Sequence, residues 1–228
     1  MIESLSEELL VKFRSVDFIA FDNDGTLLDG KEFSYDAFVK AWKTLDIKHN
    51  FDFSMPTLDK FLSLIGLPWY EFFEKLLPTK YHHLTQKLHS EIAKHELCAL
   101  NNGMGRLFPG IIGMLSVLKR RRYPMIVTSN ASTEYFQACV KNLHYNEYFA
   151  GCYCVGESRL NKGEILRDAM RKHEFNHGVI IGDRKNDIDA GRFNDLLTIG
   201  VIYGYGDSDE LAGADLILNN PDDITYVF

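Results

Sequence analysis

The stretch Phe21-Asp22-Asn23-Asp24-Gly25-Thr26-Leu27-Leu28 ends the apolar run Val16-Asp-Phe-Ile-Ala-Phe21 and sets two carboxylates two positions apart where that run breaks at a glycine. A short run of this composition is the pattern of a buried strand. In an open α/β sheet, ligands gather beyond the carboxyl ends of the strands, so Asp22 and Asp24 are expected to project there. Gly25 supplies a sharp turn, and Thr26 is expected to tie it through its hydroxyl. Alone, Asp-x-Asp-Gly-Thr is also ordinary turn composition, so its meaning depends on whether partner residues occur later in the chain.

Three later segments supply such partners, in order. Pro124-Met-Ile-Val-Thr-Ser-Asn130 is a second short apolar run, ending in Thr128 and Ser129, and Thr133-Glu134 marks a helix start after it. A hydroxyl and free backbone N–H groups at such a junction form an anion site. A third run, Gly151 to Val155, leads to Asn161-Lys162-Gly163-Glu164, which opens the helical pattern Ile165, Leu166, Ala169, Met170 and sets Lys162 at a loop-to-helix boundary. Val179-Ile-Ile-Gly-Asp183 is a fourth buried-type run, with Asp187 one helical turn further on. Each feature by itself is an ordinary cap, turn or solvated lysine. Together, at successive strand ends, they bring carboxylates, hydroxyls and an ammonium to one edge, a combination suited to phosphoryl chemistry.

These four elements, in this order, resemble the nucleophile, hydroxyl, lysine and acidic motifs of the haloacid dehalogenase superfamily. Leu107-Phe-Pro-Gly-Ile111, Ile202-Tyr-Gly-Tyr-Gly206 and Gly66-Leu-Pro68 are similar to its phosphoglycolate phosphatase and β-phosphoglucomutase branch. Two departures stand out: Asn23 where an apolar residue is commoner, and Arg122 in place of a glycine before the second strand. The resemblance implies a Mg²⁺-dependent phosphatase that hydrolyses a small phosphorylated metabolite through an aspartyl-phosphate on Asp22. Asp24 is then the acid–base group, and Thr128, Ser129, Asn130 and Lys162 hold the phosphate, with Gly66 and Trp69 at the substrate. Metal ligation falls to Asp22, Asp183 and the Asp24 carbonyl, with Asp187 beside them orienting Lys162 or a metal-bound water. The runner-up readings are a sugar phosphomutase or phosphonate hydrolase on the same scaffold, or a non-catalytic binding protein that kept the fold.

Between Gly30 and about Gly105 the pattern turns purely helical. Phe38, Ala41, Trp42 and Leu45 form one stripe; Leu58, Phe61, Leu62 and Ile65 a second; Phe72, Phe73, Leu76 and Leu77 a third; Leu84, Leu88 and Ile92 a fourth. The expected fold is therefore α/β, a Rossmann-like core with a parallel sheet, formed by residues 1–30 and 105–228, with a helical bundle inserted as a cap over 31–104. The glycine-bearing flanks at Asp29–Glu32 and Asn101–Arg106 suit hinges. Residues 4–14 read as a short amphipathic helix with Ser4 and Glu7 spaced as a capping box.

The net charge of −7 argues against a nucleic-acid backbone binder. Lys119-Arg-Arg-Arg122 ends a helical pattern, where cations meet the helix dipole favourably in solvent. The four cysteines, at 98, 139, 152 and 154, lack a metal-ligand set and are expected to be free thiols. The acidic start of the chain lacks a secretory apolar segment, and no run reaches the length of a membrane span. A cytoplasmic protein, monomeric or weakly dimeric, without nucleic-acid or membrane partners, is expected.

Overall fold

The computed structural model describes residues 6–156, 158 and 160–228. Its centre is a six-stranded parallel sheet of β1 (Phe18–Phe21), β4 (Met125–Ser129), β5 (Gly151–Cys154), β6 (Gly178–Gly182), β7 (Leu197–Val201) and β8 (Leu216–Leu218). The order is β5-β4-β1-β6-β7-β8. The chain thus winds first to one side of β1 and then to the other, and the point where it reverses lies between β1 and its two neighbours. β1 pairs with β4 through Ile19 and Met125, and with β6 through Phe18 and Gly178. Every residue of β1, β4 and β6 is buried, because helices cover both faces, which accounts for their unbroken apolar runs.

Side chains alternate across the sheet. Ile19 and Phe21 pack with α1 (Glu7–Arg14), α6 (Ile111–Arg120) and α10 (Pro221–Val227), whereas Phe18 and Ala20 pack with α8 (Lys162–His173) and α9 (Lys185–Phe193). α7 (Thr133–Leu143) comes after β4 and is capped by Ser132, whose oxygen accepts from the Tyr135 N–H. The N-terminal helix is capped by Ser6, which accepts from Leu9 N–H at 3.2 Å. Ser4, expected to cap it, lies outside the described residues.

Between β2 (Leu28–Asp29) and β3 (Arg106–Leu107) the regular elements are all helical: α2 (Lys31–His49), α3 (Leu58–Leu62), α4 (Trp69–Leu76), a 3₁₀ turn (Thr79–Leu84) and α5 (Thr85–Asn101). Phe38, Trp42, Phe61, Phe73 and Leu88 form a core of their own there. The expected helical stripes are present, except that Leu58 is exposed on the five-residue α3. β2 and β3 pair antiparallel across the two flanks, so the crossing strands brace one another. Phe33 and Leu100, at the base of this helical layer, pack against Tyr135 and Cys139 of α7.

α6 ends in a Schellman turn, in which Tyr123 N–H bonds Leu118 C=O and Arg122 N–H bonds Lys119 C=O. Arg122 occupies the left-handed position of that turn, φ 65°, which is the backbone reason a glycine suits this site. Its side chain is exposed, so no packing opposes a change. Arg122→Gly is expected to stabilise the protein by ~0.5–1 kcal/mol, less than the full left-handed penalty because glycine also loosens the unfolded chain. Urea unfolding should show a higher midpoint with unchanged slope.

Candidate active site

The carboxyl ends of β1, β4 and β6 meet the start of α8 at one edge of the sheet. Asp22 extends the β1 ladder by one bond, its N–H donating to Ile181 C=O at 2.9 Å. The chain then turns at Gly25, φ 90°, where a Cβ would collide with the Asp183 carboxylate. The Thr26 hydroxyl does not tie this turn, contrary to expectation. It donates instead to Asp183 Oδ1 at 3.1 Å, and Tyr205 N–H donates to Asp183 Oδ2 at 2.7 Å. Asn23, unusual at its position, has a partner for each end of its amide: Tyr145 hydroxyl donates to Oδ1 at 2.5 Å, and Nδ2 donates to Asp24 Oδ2 at 3.1 Å. Buried and unpaired, that amide would cost on the order of 1–3 kcal/mol.

Lys162 is the buried cation of the site. It stands at the first position of α8, where a capping box between Asn161 and Glu164 fixes the helix start. Its ammonium contacts Asp22 Oδ1 and lies 2.5 Å from Asp187 Oδ1. Asp187 is held from its other oxygen by Arg184 N–H at 3.0 Å. Carboxylate oxygens of Asp22, Asp183 and Asp187 all fall within 4.8 Å of one another. One ammonium cannot compensate three carboxylates. Burial, with Asp187 and Asp183 as like charges, keeps the Asp22 carboxyl well above its ordinary range despite Lys162. Burial and Asp187 push Asp183 up to about 7. Burial opposes the Lys162 charge, but Asp187 and Asp22 outweigh it and keep the ammonium protonated. A cluster of oxygen donors with surplus negative charge fits a small hard cation.

Asp24 stands apart from that cluster in its bonding. Its Oδ1 accepts from the Tyr135 hydroxyl at 2.7 Å, and burial raises its pKa although Tyr135 and Asn23 act against the rise. Thr128 is fully buried, and its hydroxyl has no partner among the described residues. A buried oxygen left free at the end of β4 is an available contact for a ligand oxygen. Ser129 is buried beside it, with Oγ accepting from Ala131 N–H at 3.1 Å. Asn130 is engaged elsewhere: its Nδ2 donates to the Gly66 carbonyl at 2.8 Å, tying the β4 end to the helical layer. Gly66 has φ 92° and packs close to the Arg184 side chain. Trp69 is 41% exposed and stacks on His89 at 5.1 Å, so it packs on one face and remains open on the other.

A cavity of about 150 Å³ opens here, reaching from Asp22, Asp24 and Lys162 up to Trp69, Phe72 and Glu96. Tyr135, Arg184, Glu96 and Tyr205 also line it; the sequence assigns none of them a role, although Tyr205 lies in the Ile202–Gly206 motif. Arg184 is buried and bridges the layers, donating to Ser63 C=O at 2.7 Å and Tyr205 C=O at 3.2 Å. Tyr205 hydroxyl accepts from Gly30 N–H at 2.7 Å, which gives the Ile202–Gly206 segment its structural use. The position of Arg184 inside the Gly-Asp-x-x-x-Asp segment is a usable signal; Glu96 offers none, being one polar residue on an amphipathic helix.

Comparison with known proteins bears on the family and the fold. The family model described as haloacid dehalogenase-like hydrolase matches residues 19–201. A phosphoglycolate phosphatase from Photorhabdus laumondii subsp. laumondii is 27% identical over 220 residues, covering 90% of this chain and 89% of that protein. A 5'-nucleotidase from Pseudomonas aeruginosa is 25% identical over 197 residues, covering 85% of this chain and 86% of that protein. Among solved structures, a haloacid dehalogenase-like hydrolase from Streptococcus pneumoniae superimposes with a TM-score of 0.81 at 25% identity, over 93% of this chain and 98% of that one.

The cavity sets a pH dependence of stability. The Glu96 side chain is partly exposed along its length, but its carboxyl is desolvated beside the cavity and its pKa rises to about 8 from 4.5. The folded protein therefore keeps a proton that the unfolded chain has lost, so stability falls as pH rises from about 4.5 to about 8. Asp183 adds to this fall with the same sign. In metal-free protein, Glu96→Gln should flatten the decline, raising Tm at pH 8 relative to pH 5 by about 2–4 °C per kcal/mol recovered. Thermal scans of both proteins across that range measure it.

Proposed function

The chain belongs to the haloacid dehalogenase-like hydrolase family, and we propose that it is a Mg²⁺-dependent phosphatase of the phosphoglycolate phosphatase-like branch, acting on a small phosphorylated metabolite. The observation that carries this reading is the division of labour between two neighbouring aspartates: Asp22 lies on the buried Lys162 ammonium, whereas Asp24 is held separately by Tyr135 and Asn23. Asp22 attacks phosphorus, and the resulting aspartyl-phosphate divides one displacement into two easier ones. Asp24, whose raised pKa suits a proton donor, protonates the leaving alkoxide and then takes a proton from the attacking water.

Lys162 and the free Thr128 hydroxyl hold the phosphoryl oxygens as charge shifts onto them, with the backbone N–H of Ser129. Asp187 orients Lys162, since its two oxygens are fixed between that ammonium and the Arg184 N–H. Asp22, Asp183 and the Asp24 carbonyl would hold Mg²⁺. When bound, the ion supplies positive charge that the carboxylate cluster lacks and polarises the phosphoryl group.

Residues 1–30 and 105–228 form the core domain in this reading, and 31–104 the helical cap that shapes the substrate site and excludes water. The separate apolar core of the helices and the cavity beneath them support that division. No helix among the described residues is long and apolar enough to cross a membrane. Cys98, Cys139 and Cys152 are free thiols, as a reducing compartment favours, and the reading takes the enzyme to be cytoplasmic and monomeric or weakly dimeric.

Two substitutions separate the aspartates. Asp22→Asn should abolish turnover of every phosphate ester. Asp24→Asn should slow alkyl phosphates by about 10²–10⁴-fold from the first turnover. With p-nitrophenyl phosphate, whose leaving anion departs unprotonated, the same variant should release a burst of nitrophenolate and then turn over slowly. Rapid-quench kinetics measures both, and equal loss on the two substrates without phosphoenzyme would remove Asp24 from the acid–base role. Excess chelator should abolish wild-type turnover and Mg²⁺ should restore it.

A further inference from the structure

The wall of the cavity carries more than the phosphoryl reaction requires. Its floor is polar and comes from the sheet edge, but its roof is Phe61, Ile65, Leu67, Phe72 and Ile92, with Trp69 at one side. Among the described lining residues the only arginine or lysine side chains are Lys162 and Arg184. Lys162 is held by two carboxylates, and Arg184 by Glu210 at 3.2 Å and the carbonyls of Ser63 and Tyr205. His89 stacks on Trp69, and burial lowers its pKa, so it adds no fixed charge. The remaining titratable partners, Glu96 and Asp24, are acids and supply no cation. A carboxylate on the organic part of a substrate would meet no free cation in this wall; apolar carbon, acids and neutral polar groups such as Ser34 and His89 stand around it.

We propose that the roof seats the uncharged, ring-bearing or compactly apolar organic part of a phosphate monoester, and that it selects against esters whose organic part carries a carboxylate. The inference rests on the phosphatase reading and narrows its substrate class. The size agrees: the cavity of about 150 Å³ is polar at its floor and apolar above, so with the phosphoryl group on the floor the apolar part suits an organic group no larger than a single ring. Burial of such a ring against Phe72 and Ile92 is favourable in proportion to the apolar area removed from water. Glu96 stands at the polar end of the roof, with its carboxyl bonded to Ser34, and holds its proton at neutral pH because burial raises its pKa to about 8. A neutral carboxyl there can hydrogen-bond a hydroxyl or ring heteroatom, which an anion-binding roof would not need.

Benzyl phosphate and phosphoglycolate test the proposal, since both are alkyl phosphates and differ in a ring against a carboxylate. With Mg²⁺, kcat/KM for benzyl phosphate should exceed that for phosphoglycolate by at least about tenfold, the discrimination that a modest difference in apolar contact gives. Ala93→Arg, which brings a cation to the same wall, should shrink or reverse the ratio. Equal or better use of phosphoglycolate, while p-nitrophenyl phosphate is turned over in an Asp22-dependent way, would overturn this inference and leave the phosphatase reading intact. Absence of turnover with every ester would overturn the phosphatase reading instead. Calorimetric titration of the Mg²⁺-loaded protein with benzylphosphonate and phosphonoacetate then decides the roof independently of catalysis: tighter benzylphosphonate supports it, and equal or tighter phosphonoacetate refutes it.

Discussion

Lys162 occupies a place where a lysine is not expected to rest. It is buried, and it stands at the N-terminal end of α8, where the helix dipole favours anions over cations. Only the carboxylates that meet it make the position tenable: Asp22 from the end of β1 and Asp187 from the first turn of α9. The ion triad therefore ties three elements together at the sheet edge. Removing the ammonium would leave carboxylates crowded and uncompensated, whereas removing one carboxylate would relieve the crowding but free the ammonium to move. Breaking a buried pair in this way is costly because the partner remains behind as an unpaired charge. The rest of the site inherits its placement from this arrangement.

The topology explains why such a crowd can be assembled at all. β1 is central, with β4 on one side and β6 on the other, so the chain crosses from one half of the sheet to the other at β1. Loops leaving neighbouring strand ends diverge there to opposite faces, and a crevice opens between them. Asp22, Thr128 and Asp183 come from three adjacent strand ends. Parallel register alone thus brings groups more than a hundred residues apart in sequence into one crevice, before any side chain is considered.

Much of this is legible in the sequence because strand-end residues announce themselves. An apolar run that stops at a charged or hydroxyl residue fixes both the element and the edge at which that residue sits, and the positions of Asp22, Thr128 and Asp183 come from such stops, whereas that of Lys162 comes from the start of a helical pattern after a loop. What escapes is contributed by helices and their connections. Glu96, Tyr135 and Tyr145 reach the site sideways, and a helical stripe tells which face is buried without telling which neighbour it meets. The Thr26 hydroxyl is expected in its own turn because local bonding is the commonest use of a threonine there; the Asp183 carboxylate, remote in sequence, is the stronger acceptor and takes it. Asn130 illustrates the same limit, since its bond to the Gly66 carbonyl depends on how the helical layer sits on the sheet.

Tyr135 couples the helical layer to the sheet edge. Its hydroxyl bonds Asp24, and its ring stacks with Phe33 at the base of α2, 6.5 Å between centroids. A shift of the helical layer would therefore press on the side chain that holds the Asp24 carboxylate. The flanking linkers do not isolate the layers from one another. β2 and β3 pair through only two residue pairs, and the Arg106–Glu32 ion pair beside them is exposed and contributes little. The firmer ties are the Arg184 bond to Ser63, the Asn130 bond to Gly66 and the packing of Phe33 and Leu100 on α7. Motion at the flanks would have to break or carry along these contacts, and Arg184, Asn130, Gly66 and Tyr135 among them line the cavity. What fills the cavity and how Asp24 is held are thus parts of one mechanical unit. An organic group seated against the helices would act on the Asp24 side chain through Tyr135 as well as from the cavity that Asp24 itself lines.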